Sequence, residues 1–423
     1  MHHFHYRDNL LYCEDVPVRE VVDAVGTPLY LYSVATLKRH FKAFDSGFDG
    51  MPHLTCFAVK ACSNIAILNL FARHGGGADI VSGGELFRAL KAGIDSRKII
   101  YSGVGKTVAE MREALLADIL MFNVESAQEL DRLQQVAAGL NTVAPVALRI
   151  NPDVDPRTHA YISTGLAKNK FGIPVEAALQ EYERARAMEN IEIMGVSCHI
   201  GSQLTQVDPF IEALRKVKAF LGRLEDRGIR VRYLDLGGGL GITYDDERPP
   251  HPQEYAAAIR EELGDAGYTL ILEPGRVIAG NGGILVTEVQ YTKVNSGGDE
   301  EKRFVIVDAA MNDLARPSLY GAYHEIIPVV QEERSVQQVD IVGPICESGD
   351  FMARDRMLPE VRQGDLLAIM SCGAYGFSMA SNYNSRPRAA EVLVGGDCFR
   401  VIRMREDYED LIRGEFVVEL DCK

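Results

Sequence analysis

Between residues 53 and 275 the chain repeats one pattern eight times, a short β-rich run followed by an amphipathic helical stretch. The runs are HLTCFAVK (53–60), GADIVS (77–82), KIIYSG (98–103), LMFNVES (120–126), VALRINP (146–152), IMGVSCHIG (193–201), RYLDLGGG (232–239) and TLILEPG (269–275). Between them lie GGELFRALKAG (83–93), KTVAEMREALLA (106–117) and DPFIEALRKVKAFLGRLEDRG (208–228), whose apolar residues recur at helical spacing. Such alternation demands a parallel sheet, because each helix is the crossover that returns the chain to the same strand direction. Eight units suggest a closed (β/α)₈ barrel of the TIM type, with an open doubly wound sheet as the alternative.

Past residue 280 the texture becomes strand after strand without helices: GILVTEVQYTKV, RFVIVDAA, HEIIPVV, QQVDIVGPIC, LLAIMSCG, AAEVLVGG and CFRVIRMRE. This predicts a second, all-β domain of sandwich or barrel-like form. The N-terminal LYCEDVPVREVVDAVGTPLYLYS (11–33) contains strand-like pieces and is assigned to it. The expected division is therefore a barrel over 33–278 and a β domain from 1–32 plus 279–423. NSGGDEEK (295–302) reads as a polar hairpin loop.

With 47% hydrophobic and 25% charged residues, the 423-residue chain has the composition of a globular protein. It has no apolar run of the roughly 20 residues needed to span a bilayer, and MHHFHYRDNL lacks the basic start and apolar middle of a secretory signal. Its formal charge of −15 disfavours nucleic acid and anionic membrane as partners and leaves small molecules. Cys13, Cys56, Cys62, Cys198, Cys346, Cys372, Cys398 and Cys422 are scattered without a C-x-x-C pair, as expected of reduced thiols in the cytoplasm. His2, His3 and His5 lie on a terminus that makes a poor metal cage, so no metal is expected.

In a barrel of this kind the chemistry sits at the C-terminal strand ends. Those ends are polar: Lys60 closes the first run, Asp79 and Ser82 the second, Arg149 and Asn151 the fifth, and His199 and Ser202 the sixth. Gly237, Gly238 and Gly239 close the seventh, and Glu273 and Arg276 the eighth. Lys60 is the odd member, since an ammonium at the end of an apolar strand needs a partner or a chemical use. The GGGLGI run is no dinucleotide fingerprint, because Ile242 stands where a third glycine belongs. It does offer backbone N–H groups where such barrels hold a phosphate. A lysine amine, a phosphate cradle, the flat His199 ring and the Glu273 carboxylate together meet the needs of pyridoxal 5′-phosphate (PLP). A carboxylate beside the ring nitrogen keeps it protonated, which favours decarboxylation.

The ordered set FAVKA, ADIVSGGEL, NKFG, HIGSQ, LGGGLGI, EPGR, RPSLYGAYHEI, GPICESGDF and GAYGFSMASNYNSRPR, spread over nearly the whole chain, resembles the diaminopimelate decarboxylase family. That family belongs to the alanine racemase and ornithine decarboxylase superfamily. The resemblance implies an alanine racemase-like fold and a homodimer with shared active sites. It also implies decarboxylation of meso-2,6-diaminopimelate to L-lysine and CO₂, the last step of lysine biosynthesis. It makes Lys60 the Schiff-base lysine, His199 the ring platform, and Ser202, Gly237 to Gly239 and the backbone around Gly275 the phosphate holders. Glu273 would pair with the pyridinium, and Asp79 and Arg149 join the cofactor-binding set. Arg276, Arg316 and Tyr320 would surround a substrate carboxylate, with Glu347 at the distal amino group and Tyr375 near phosphate and substrate. Cys346 would be the proton donor, supplied by the neighbouring subunit. Cys62 departs from the asparagine the family usually carries there.

Rival readings are a decarboxylase of ornithine, arginine, lysine or carboxynorspermidine, and a non-enzymatic PLP-binding protein. Arg316 and Tyr320 suit a substrate that keeps a second carboxylate, which the diamine precursors lack. A racemase would be expected to place an arginine, rather than Glu273, at the ring nitrogen.

Overall fold

The eight β-rich runs form eight parallel strands: His53–Ala58, Gly77–Ile80, Ile99–Tyr101, Met121–Val124, Ala144–Asn151, Ile191–Ser197, Tyr233–Asp235 and Thr269–Leu272. Each pairs with the next in sequence, and the eighth pairs with the first, with Leu270 opposite His53, so the sheet closes into a barrel. The strands are apolar on both faces because side chains fill the barrel and helices cover it; Phe57, Ile100, Phe122, Leu148, Val196 and Ile271 are fully buried. This computed structural model describes residues 2–154, 170–264, 267–297 and 300–418. The chain divides into two units, residues 37–280 and residues 1–36 with 281–423.

Several strand ends turn into helices through a side-chain cap. Asn64, Ser82, Thr107 and Ser126 accept the backbone N–H of Ala66, Glu85, Glu110 and Glu129 at 3.0, 3.2, 3.3 and 3.2 Å. Each cap satisfies a donor that the first helical turn leaves orphaned. Ser82, expected beside Asp79 among the mouth residues, is therefore the N-cap of the helix Gly83–Lys91.

The other unit is mostly β. Its main sheet runs Phe351–Pro359, Val336–Val342, Glu300–Val307, Gly283–Gly297, Leu29–Ser33, Ala390–Gly395 and Cys398–Arg403, with Leu366–Ile369 and Ile326–Pro328 branching from Gly283–Gly297. Leu29, Leu31, Ile284, Val286, Val392 and Val394 meet in its core.

Four details depart from expectation. VREVVDAV (18–25) is a helix rather than strand-like: Val18 and Val21 are buried on one side, Pro17 opens it, and Gly26 ends it at a φ of 78°. FMARDRMLP (351–359) is an additional strand whose exposed Arg354 and Asp355 hide the pattern. A short helix at Arg316–Tyr320 interrupts the strands, and another at Tyr408–Leu411 follows the last of them. Most of NSGGDEEK is strand, since pairing reaches Gly297 opposite Glu300. Its tip, Gly298 and Asp299, lies outside the described residues, as do Asn169 of the NKFG motif and Cys422.

Candidate active site

Lys60 lies in the single 3₁₀ turn Val59–Ala61 that follows the first strand. Its Nζ is 2.6 Å from Oδ2 of Asp79, whose side chain is wholly buried at the end of the second strand. A buried aspartate thus pairs the ammonium that the apolar strand left unexplained. The other oxygen, Asp79 Oδ1, is buried without a hydrogen-bond partner.

Around the barrel, Arg149 ends the fifth strand, held by Glu125 (Nη1 to Oε1, 2.7 Å) and lying over the Phe171 ring. Glu125 also accepts the Gly172 N–H at 2.8 Å. Arg149 Nη2 is buried and unpartnered. Asn151, at the same strand end, donates to the Phe171 carbonyl at 3.3 Å.

His199 follows the sixth strand. Burial and the cations Arg149 and Lys60 push its imidazole well below the ordinary histidine range, so the ring is neutral near pH 7. Its Nδ1 accepts the Gly238 N–H at 3.2 Å. The glycine turn packs so closely that a Cβ on Gly238 would stand 2.2 Å from the Glu273 carbonyl oxygen, and one on Gly237 2.6 Å from His199 Nδ1. Gly237 donates its N–H to Asp235 Oδ1 at 2.9 Å. Two of the three turn N–H groups expected to cradle phosphate are therefore used inside the protein, and Gly239 keeps the third.

Glu273 ends the eighth strand, buried beside Ser102 and Asn123, each 3.3 Å from its Oε1. Burial, then Asp235 and Asp79, raise its carboxyl well above the usual range. Gly275 starts the short helix Arg276–Ala279. Arg276 is buried and fixed by Tyr244 (2.7 Å) and Ser202 (3.0 Å). The structure thus brings Lys60, Asp79, Arg149, His199, Ser202, Gly237 to Gly239, Glu273, Gly275 and Arg276 to the C-terminal end of one barrel.

The remaining expected residues belong to the other unit. Buried Arg316 opens a short helix and lies 2.9 Å from Nε2 of His324, whose Nδ1 donates to the Met370 carbonyl at 2.8 Å. Half-buried Tyr320 ends that helix. Cys346 and Glu347 are exposed on a loop that Asp350 holds by accepting the N–H groups of Met311 and Ile345, both at 2.7 Å. Cys346 donates its N–H to Asn384 (3.0 Å), and Tyr383 donates its hydroxyl to Glu347 (2.8 Å). Tyr375 has a φ of 56°, in the left-handed region that side chains rarely adopt.

Sequence reasoning missed Asp235, Asn123, Ser102, Tyr244, Glu125, His324 and Tyr383. Asp235 lay in plain view in the run YLDLGGG, directly before the glycine turn. The others act through partners too far off in sequence to signal themselves.

The barrel residues fit PLP. A lysine amine, a neutral flat ring, a buried carboxyl raised above its usual range and a buried guanidinium nitrogen awaiting an acceptor converge on one mouth. Residues 34–280 match the family described as pyridoxal-dependent decarboxylase, pyridoxal binding domain. The diaminopimelate decarboxylase of Pseudomonas aeruginosa is 52% identical over 97% of this chain and 98% of its own length. The Aquifex aeolicus enzyme of that name is 50% identical over 96% of each. Among solved structures, diaminopimelate decarboxylase from M. jannaschii in co-complex with L-lysine superposes with a TM-score of 0.92 at 40% identity, covering 98% of both chains. The Helicobacter pylori enzyme complexed with L-lysine gives 0.90 at 45% identity, covering 93% of this chain and 98% of that one. With this fold, this mouth and identity of about half along nearly its whole length, the chain belongs to the diaminopimelate decarboxylase family.

Proposed function

We propose that the protein removes one carboxylate of meso-2,6-diaminopimelate as CO₂, leaving L-lysine, with PLP as its cofactor, and so performs the last step of lysine biosynthesis. The observation that carries this reading is the convergence of Lys60, His199 and buried Glu273 on one barrel mouth in a chain about half identical to enzymes of that name. When bound, PLP supplies an electron sink for the pair left behind by the departing carboxylate.

The chain's own residues do the rest. Lys60, released from Asp79, provides the amine that carries the cofactor. His199, being neutral, would serve as the ring platform without repelling the ring's positive charge. Ser202, the Gly239 N–H and the backbone around Gly275 hold the phosphate, with Gly237 and Gly238 shaping the turn. Glu273 would pair with the ring nitrogen, and Arg149 has Nη2 free of protein partners to offer the cofactor. Arg276, Arg316 and Tyr320 bind the carboxylate that the product keeps, Glu347 binds the distal ammonium, and Tyr375 lies near phosphate and substrate. Cys346 delivers a proton to the carbon that lost its carboxylate. Exposure of Cys346 and Glu347 on a braced loop supports the further reading that they complete the site of a second copy of the chain in a homodimer. The barrel is the cofactor domain. No helix of the described residues is long and apolar enough to cross a membrane, and scattered thiols support a cytoplasmic setting.

The test is the rate of CO₂ release by purified, PLP-loaded protein on meso-diaminopimelate, L-lysine and L-ornithine. A substrate that leaves one charged partner unpaired forfeits at least about 1–3 kcal/mol, so kcat/KM should favour diaminopimelate by roughly 5- to 150-fold or more. Comparable values on lysine or ornithine would transfer the chain to the rival decarboxylases.

A further inference from the structure

Behind Glu273 lies a second buried carboxyl. Asp235, at the end of the seventh strand, is wholly shielded from solvent. Its Oδ1 accepts the Gly237 N–H at 2.9 Å, and its Oδ2 accepts from Asn123 Nδ2 at 2.6 Å and Ser197 Oγ at 3.2 Å. The same Asn123 nitrogen is 3.3 Å from Glu273 Oε1 and 3.1 Å from Ser102 Oγ. An amide nitrogen has two hydrogens for these three acceptors, so the shared donor leaves one of them unserved.

Two carboxyls gathered round one neutral amide, away from water, cannot both ionise. The surrounding charges do not relieve them. Asp79 adds to the negative field at Glu273, while the facing cation Lys60 is already paired with Asp79 at 2.6 Å. Arg149 is committed to Glu125. Burial pushes the neighbouring thiols Cys56 and Cys198 up, the latter to about 12, so both stay neutral. One proton must then reside on the pair. Burial raises both carboxyls, but Asp235 has the backbone donor and the short 2.6 Å contact, whereas Ser102 and Asn123 stand 3.3 Å from Glu273 Oε1. The proton therefore belongs on Glu273.

We propose that Asp235 is a positioning residue acting through Glu273: its fixed negative charge holds a proton on the Glu273 carboxyl, and that proton passes to the ring nitrogen of PLP. The O–H bond of Glu273 breaks, an N–H bond forms, and the resulting carboxylate stays beside the cation it has made. Solvent supplies nothing. This inference rests on the PLP reading above.

The test counts protons. Full-length wild-type and Asp235→Asn proteins, stripped of cofactor with hydroxylamine and dialysed, are titrated calorimetrically with PLP in buffers of different ionisation enthalpy at one neutral pH. Proton changes at Lys60 are common to both and cancel in the difference. Without the charge at 235, Glu273 ionises more readily, so the variant should take up more protons from buffer than wild type, approaching about one per site. Equal counts overturn the proposal. An Asp235 that only braced the strand would lower the melting temperature and leave the counts equal. Should the variant bind too weakly to titrate, infrared spectra of the cofactor-free wild type decide: a protonated carboxyl band at neutral pH, absent from Glu273→Gln, is required, and its absence from wild type overturns the proposal. Wild type that binds no PLP would instead defeat the cofactor reading, while the infrared result would still judge the carboxyl pair.

Discussion

Glutamine at position 273 is expected to lower kcat on meso-diaminopimelate by about 10²- to 10³-fold, a loss of ~2.7–4 kcal/mol of transition-state stabilisation, while PLP affinity changes far less. The asymmetry follows from where the residue sits. An amide fits the space beside Ser102 and Asn123, so the end of the eighth strand should keep its shape. It cannot become an anion opposite the ring nitrogen. The proposed phosphate holders, Ser202 and the Gly239 N–H, are separate groups and are untouched. Steady-state kinetics at saturating PLP, together with a cofactor binding isotherm, read the two effects apart. Undiminished turnover in the variant would remove Glu273 from the chemistry.

The second large effect concerns two variants that are each expected to lose most or all activity alone. Lys60→Ala removes the amine proposed to carry the cofactor, and Cys346→Ala should cost about 10²- to 10⁴-fold as the loss of the proposed proton donor. Unfolded and refolded together in equal amounts, they should recover about a quarter of wild-type activity if each site of a dimer takes Lys60 from one chain and Cys346 from the other. Half the dimers are then hybrids, and in each hybrid one site collects both lesions while the other collects neither. If hybrids form, as shown by differently tagged chains copurifying, and activity does not return, Cys346 does not act across subunits.

The barrel was legible because each of its strands is a run of β-forming residues and several of the intervening helices announce themselves by period. Its polar strand ends named most of the candidate site. What escaped notice depends on three-dimensional proximity. Asn123 and Glu273 are far apart in sequence and meet only because the barrel closes, and no periodicity carries that information. Ser82 was drawn into the mouth by its place after a strand, though the glutamate three residues on already marked a helix cap. VREVVDAV misled because β-branched residues favour strands, yet the buried pair Val18 and Val21 follows helical spacing, and packing outweighed propensity. The strand FMARDRMLP is half exposed, and its charges obscure the alternation.

Tyr375 carries an implication for what glycine at its position would change. Its backbone, at a φ of 56°, is one that glycine adopts freely and that a bulky residue holds only at about 1–2 kcal/mol. Glycine here would relax that backbone, but it would remove the phenol together with every contact the ring makes. Under the proposed role of Tyr375 beside phosphate and substrate, the strain is the cost of placing that phenol, written in a torsion angle rather than in a contact.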